Sequence, residues 1–377
     1  MNSEVIFFVI VAFLCLEFVV ERVLDRLNMK AMSPVLPSRL QGIYDEKEYN
    51  RFVNYKRETG RLEWLESVVG FIVMLGFLCA GGFGWLNGWI VSWTDSVVWQ
   101  TLLFMGILSV ASGILEMPFD WYATFRIEEK YGFNKTTWKT YVGDSLKGML
   151  LSALLGGLLL SAVVWFYEWA GPLFWLYAWI AVTVVSVFMS MFYSQLIVPL
   201  FNKQTPLEQG SLRDKIQAFA DKVGFRLDNI YVMDGSKRST KANAYFTGLG
   251  PKKRIVLYDT LIDELTEEEI VAVLAHEVGH YKRKHTVQFM LASVLQTGVM
   301  LWLFSLLVNE AVLSQALGGD RAYFQLGLVA FALLYTPVSM VLGLGMNAWS
   351  RKNEYEADAF AAQNYDGQAL ISGLKKI

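Results

Sequence analysis

The chain contains only three histidines, and all of them fall within ten residues: His276, His280 and His285. Two of them bracket a carboxylate in the run His276-Glu277-Val278-Gly279-His280. Helical residues four apart lie about 6 Å along the axis and roughly 40° around it. His276 and His280 therefore project from one face and can bind a single metal ion. Glu277 sits beside that face, within reach of a water on the metal. This is the mechanics of the His-Glu-x-x-His zinc hydrolase pattern. A catalytic zinc takes three protein ligands and leaves the fourth position to water. The ion acidifies that water, and Glu277 can accept its proton.

The third ligand has to be found elsewhere. His285 lies five residues past His280, about 140° around the helix if it continues, and reads as an interfacial histidine. With no other histidine present, the ligand should be acidic. Asn353-Glu354-Tyr355-Glu356-Ala357-Asp358-Ala359-Phe360 has helical propensity, and Glu354 and Asp358 share a face at i, i+4. Glu354 is expected to bind the metal, and Asp358 to hold a ligand histidine through its other ring nitrogen. Glu356 is expected to point elsewhere.

Both motifs need elements to carry them. Thr266-Glu267-Glu268-Glu269 has the form of a capping box, starting a helix that runs through the histidine pair. Upstream, Ser211–Val223 has helical spacing. Ile230–Met233, Ala242–Thr247 and Arg254–Tyr258 read as strands, the last two joined across a Gly248–Lys253 turn. Residues 203–285 thus predict a small α+β insert.

Around that insert the composition is that of a membrane protein. Of 377 residues 54% are hydrophobic and only 18% charged, against about 45–50% and about 25% in soluble domains. A net charge of −2 gives no reason to expect nucleic acid. Cys15 and Cys79 lie in apolar runs and suggest no disulfide framework. Seven runs are long and apolar enough to span a bilayer: Val5–Val20, Val68–Trp85, Val97–Leu115, Met149–Tyr167, Leu173–Phe192, Val287–Val308 and Phe324–Asn347. The first lacks the basic flank and cleavage site of a signal peptide and is expected to be retained. Cytoplasmic loops carry the Lys and Arg excess. Alternate loops and the C-terminal tail hold 32 of the 33 basic residues, all but Arg321. The N-terminus is therefore expected outside, with the histidine motif on the cytoplasmic side. The predicted organisation is membrane helices over 1–202, the insert over 203–285, two more spans over 286–350, and a helix with the third ligand over 351–377.

The ordered set of motifs resembles the integral-membrane zinc metalloproteases of the CAAX prenyl protease 1 family. The matching stretches are Leu274–His280 and Asn353–Phe360, with Phe125–Lys135, Pro199–Lys203 and Lys241–Phe246. The resemblance implies one zinc ion held by His276, His280 and Glu354. Glu277 would be the catalytic base, and Asp358 would take a proton-donor or supporting role. It also implies a mainly α polytopic fold in which seven helices enclose a chamber, with a gluzincin-type domain. The substrates it implies are prenylated CAAX peptides, held by edge pairing along Asn243, Ala244, Tyr245 and Phe246. Members of the family run on past the second motif to a His-Pro element, so a chain ending at Ile377 is expected to be a truncated or short form. The membrane implied is a bacterial inner membrane or the endoplasmic reticulum.

Two other functions fit parts of the pattern. One is a quality-control metalloprotease of the HtpX type, but such proteins have about four spans. The other is a transporter or channel with a structural zinc. Structural zinc sites are closed by four ligands, whereas three ligands and an adjacent base are present here. The partners expected are a peptide or lipidated protein and membrane lipids.

Overall fold

In hydrocarbon there is no water to pair backbone groups, so apolar segments must satisfy them internally, as helices. The computed structural model, which describes residues 2–37, 41, 45–225, 230–247 and 254–376, is built accordingly. In chain order its helices are α1 (Ser3–Ala31), α2 (Glu46–Cys79), α3 (Gly82–Val91), α4 (Val97–Tyr122), α5 (Trp138–Ala170), α6 (Phe174–Leu196), α7 (Ser211–Lys222), α8 (Asp259–Glu264), α9 (Glu267–Lys282), α10 (His285–Leu307), α11 (Ala311–Ala316), α12 (Phe324–Asn364) and α13 (Gly367–Leu374). The strands are β1 (Gln204–Pro206), β2 (Ile230–Met233), β3 (Ala244–Thr247) and β4 (Arg254–Tyr258).

Among the described residues, six helical stretches are long and apolar enough to cross a membrane. One of them, Trp138–Leu200, is 63 residues long, about three times what a bilayer needs. It comprises two α-helices, α5 and α6, separated by a 3-10 turn at Gly171-Pro172-Leu173. With that stretch divided, the six correspond to the seven expected spans, though not at every boundary. The expected span Val68–Trp85 is displaced, because α2 stops at Cys79. Gly81 there takes a left-handed φ of 70°, and α3 starts immediately afterwards. At the other end α2 runs back through a polar stretch to Asp45, whose side chain accepts from Lys47 N at 2.6 Å. The last span does not end at Asn347 either. It continues without a break into the second motif, so that α12 is 41 residues long.

The chain divides into two compact units. The first comprises Met1–Tyr131, Met149–Val182 and Leu295–Leu344. Ile10, Ile90, Phe104 and Leu326 are fully buried in one of its apolar cores. A polar cluster is satisfied within the same unit: Gln325 Nε2 donates to Asn87 Oδ1 at 2.7 Å, and Thr101 Oγ1 donates to Gln325 Oε1 at 3.5 Å.

The second unit comprises Gly132–Gly148, Thr183–Val294 and Gly345–Ile377. Its sheet has the order β1-β2-β4-β3. β2 and β4 are parallel, with Ile230 opposite Ile255; β3 and β4 are antiparallel, with Ala244 opposite Leu257. The last pairing is that of the expected hairpin, whose Gly248–Lys253 turn lies outside the described residues. The second strand begins at Ala244 rather than Ala242. β1 and α8, too short to leave a periodic signal, were not expected. Ile255 and Leu257 of β4 join Leu261 of α8 and Ile270, Leu274 and Val278 of α9 in one core. Each such side chain contributes about 1.5–3 kcal/mol by leaving water. This fixes α9 against the sheet and leaves its histidine face free.

Both ends of α9 are secured. Thr266 and Glu269 close the capping box. Glu269 is 4% exposed; it also accepts from Ser372 Oγ at 2.6 Å and Lys376 Nζ at 2.7 Å. The N-terminus of α9 is thus clasped to α13 and the residues after it. These donors hold the Glu269 carboxyl down at about 2, outweighing the upward push of burial. A carboxyl with a depressed pKa adds stability above its ordinary value and loses it as pH falls. The clasp is therefore expected to weaken as pH drops from about 4.5 towards 2. Glu269→Gln should cost about 1–3 kcal/mol near neutrality, by leaving the cation and hydroxyl poorly paired. Thermal unfolding of the detergent-solubilised protein from pH 7 to pH 3 should show a deficit in the variant that narrows with acidity; a pH-independent deficit would contradict the assignment.

Candidate metal centre

The centre lies wholly within the second unit. α9 presents His276 and His280 one turn apart, and α12 presents Glu354 and Asp358 one turn apart. The two helices meet at Gly279, between the two histidines. A Cβ there would lie 3.1 Å from the Cα and carbonyl oxygen of Ala357 and 3.1 Å from Phe360 Cβ. A side chain at 279 would press on the α12 backbone, and the close approach that glycine permits places the α12 carboxylates beside the imidazoles.

The ligand atoms of His276, His280 and Glu354 all lie within 4.8 Å of one another. His276 Nε2 and His280 Nε2 are 3.1 Å apart. Glu354 Oε2 lies 3.3 Å from the first and 3.5 Å from the second. Tetrahedral zinc with bonds of about 2.0–2.1 Å requires ligand atoms about 3.3 Å apart, and the three atoms form such a face.

The protons point the same way. His276 Nδ1 lies 2.8 Å from Asp358 Oδ1. Against a carboxylate that nitrogen must donate, so the Nε2 of a neutral ring bears a bare lone pair. His280 Nδ1 is likewise engaged, 3.0 Å from His285 Nδ1. With both ring protons on Nδ1, two imidazole lone pairs and the Glu354 carboxylate face one point, an arrangement that could hold a cation. Nitrogen and oxygen donors in this number suit zinc.

Glu277 is half-buried beside the pair. Burial pushes its carboxyl above the ordinary range, with Glu354 adding to the effect and His276 opposing it. A raised carboxyl has the proton affinity of a base. Burial also pushes His280 down, with His276 adding to the effect and Glu354 opposing it, a direction that favours the neutral ring metal binding needs.

Two residues were underestimated. His285, at the first residue of a membrane-length helix, is also buried, 1% exposed, with its Nδ1 3.0 Å from His280 Nδ1. The 140° estimate assumed one continuous helix, but α9 ends at Lys282 and Lys284 takes a φ of 60°. That left-handed residue redirects the chain, and α10 begins at His285. Glu356 does point away from the metal ligands, but its Oε2 lies 3.3 Å from His285 Nε2. A helical wheel cannot show such a bend, and nothing else in the sequence signals it.

The expected peptide-binding residues lie on or next to β3, an edge strand of the sheet. Asn243 Oδ1 accepts from Ala244 N at 2.8 Å, and Ala244 is buried. The Tyr245 hydroxyl lies 3.2 Å from Ser194 Oγ and 3.4 Å from Gln204 Nε2. Phe246 packs edge-on to Phe225 and against Tyr281 of α9. The other family-like stretches bond to the segment 234–240 that leads towards this strand. Lys135 N donates to Arg238 O at 2.9 Å, and Thr240 N to Phe133 O at 3.1 Å. Asn202 Nδ2 and Lys203 N both donate to Asp234 Oδ1, at 3.1 and 2.7 Å.

Two family models match the chain: CAAX prenyl protease N-terminal, five membrane helices, over residues 25–203, and peptidase family M48 over residues 206–373. The CAAX prenyl protease 1 homolog of Arabidopsis thaliana is 33% identical over 379 residues, covering 98% of this chain and 89% of that protein. The CAAX prenyl protease 1 of Saccharomyces cerevisiae is 32% identical over 375 residues, covering 93% and 83%. The crystal structure of S. mikatae Ste24p superposes with a TM-score of 0.92 at 32% identity, covering all of this chain and 91% of that one. Sequence motifs, fold and relatives agree: the chain is an integral, multi-pass membrane metalloendopeptidase and belongs to peptidase family M48, in the CAAX prenyl protease 1 group.

Proposed function

We propose that this protein is a zinc endopeptidase that removes C-terminal peptides from prenylated, CAAX-type or other membrane-associated substrates. The observation that carries the proposal is the convergence of His276 Nε2, His280 Nε2 and Glu354 Oε2 on one point at mutual distances of 3.1–3.5 Å. Zinc bound there would polarise the scissile carbonyl and acidify a water. Glu277 takes the proton from that water and passes it to the leaving amine. Asp358 keeps the His276 proton on Nδ1 and fixes the plane of the ring. A peptide adds to the open edge of β3 through backbone pairing at Asn243, Ala244, Tyr245 and Phe246. With three of those side chains already engaged, β3 offers its backbone, which suits a range of peptide sequences.

The distribution of basic residues supports an external N-terminus and a cytoplasmic catalytic face, in a bacterial inner membrane or the endoplasmic reticulum. We assign membrane helices to 1–202 and 286–350 and catalytic segments to 203–285 and 351–377. The substrate class is supported by the printed names of the Arabidopsis and yeast relatives. Incubating the detergent-solubilised protein with farnesylated and unmodified peptides, with and without a chelator, tests it. Chelator-sensitive cleavage of the farnesylated peptide alone is expected. Equal cleavage of both would point to a general protease, and cleavage of neither would refute the proposal.

Glu277→Gln should retain one zinc per chain and lose peptide cleavage by at least about 100-fold; full activity in the zinc-loaded variant would remove Glu277 from the mechanism. Glu354→Ala should lower zinc content measured by elemental analysis, and a normal stoichiometry would place the third ligand elsewhere. Gly279→Val should separate α9 from α12, reducing zinc affinity while the far-ultraviolet circular dichroism stays helical. Wild-type affinity there would mean that the close contact does not position the ligands.

A further inference from the structure

We propose that His285 and Glu356 are positioning residues for the metal ligand His280, acting as a relay that starts at a carboxylate and ends at the ring nitrogen facing the ion. The inference rests on the zinc reading above and extends it to two residues outside the ligand set. His285 is 1% exposed, and both its ring nitrogens are engaged, Nδ1 at 3.0 Å from His280 Nδ1 and Nε2 at 3.3 Å from Glu356 Oε2. A neutral imidazole carries one N–H, so a contact between two Nδ1 atoms needs one donor and one acceptor. Two assignments are possible. In one, His280 donates from Nδ1, His285 accepts, and the His285 proton sits on Nε2, directed at Glu356. In the other, His285 donates from Nδ1 and its bare Nε2 faces a carboxylate, while His280 carries its proton on Nε2, directed at His276 and Glu354. The second sets lone pair against lone pair at one end and blocks the ligand direction at the other. The Glu356 carboxylate therefore selects the tautomer of His285, which selects that of His280.

The two ligand histidines are thus supported by carboxylates two residues apart on α12. Asp358 holds His276 directly, and Glu356 holds His280 with His285 between them. The left-handed turn at Lys284 makes this possible, because it swings the first residue of α10 back towards His280. Glu356 has a second, longer contact, with Lys352 Nζ at 3.8 Å from its Oε1. Lys352 is exposed and lies away from the histidines, leaving Oε2 to face His285.

Groups that orient a ligand histidine typically change metal affinity 10–100-fold when removed. The test uses the full chain in detergent, stripped of metal and titrated with Zn2+ against a competing chromophoric chelator. Glu356→Ala and His285→Ala are each expected to weaken zinc binding about 10–100-fold. Because both act through one relay, the double variant should bind about as weakly as the weaker single variant. The metal-free melting temperature of Glu356→Ala should match wild type, separating ligand orientation from fold stability; this variant carries the test if the buried His285 cannot be replaced without unfolding. Zinc affinity within threefold of wild type in Glu356→Ala, or losses that simply multiply in the double variant, would overturn the relay and leave the zinc centre standing. Wild-type protein that takes up no zinc would overturn both.

Discussion

The candidate site of the second unit depends on one geometric constraint: two imidazole Nε2 atoms and a carboxylate oxygen are held 3.1–3.5 Å apart, a spacing that suits a shared cation. Its neighbours serve to maintain that arrangement. The apolar core beneath α9 anchors one half of the set, with Ile270, Leu274 and Val278 buried on the sheet side. The missing side chain at Gly279 lets the other half approach. Hydrogen bonds at the back of each ring direct the lone pairs inward. Folding energy gathered in the core is thereby spent on pre-orienting donors, as tight metal binding requires.

Much of this was legible in the sequence, for identifiable reasons. Helical periodicity is strict, so His276 and His280 had to share a face, as did Glu354 and Asp358. The capping box at Thr266 and Glu269 is a local signal, and it appears as read. The apolar runs announced the spans, but their ends proved harder to read. Gly81 ended α2 before the hydropathy did, and α12 ran on because Arg351 and Lys352 suit a helix in water as well as an apolar segment suits one in lipid. The sequence was silent wherever geometry depended on a single backbone angle. Lys284 carries no residue-type signature of a left-handed turn, so His285 looked misdirected and the partner of Glu356 was invisible. The clasp of α13 on Glu269 joins residues about a hundred positions apart, beyond any local pattern.

The division into units is equally uninformative in one dimension. The second unit gathers three separate segments of the chain, and its ligands come from two of them. Hydropathy separates spans from loops, but it does not report which helix ends belong to the catalytic body. Asp144, at the start of a membrane-length helix, shows the consequence: it pairs with Arg238 of the polar insert at 2.7 Å.

The turn at Lys284 also bears on motion. Its backbone is well bonded, with Arg283 N bonded to Gly279 O, Lys284 N to Tyr281 O, and Gln288 N to Lys284 O. The Gln288 side chain donates to the Arg283 carbonyl at 3.1 Å. A joint bonded in this way, with one residue in a narrow conformational well, resists bending. The same bonds set the angle between α9 and the start of α10, so movement that admits a peptide is expected away from this elbow.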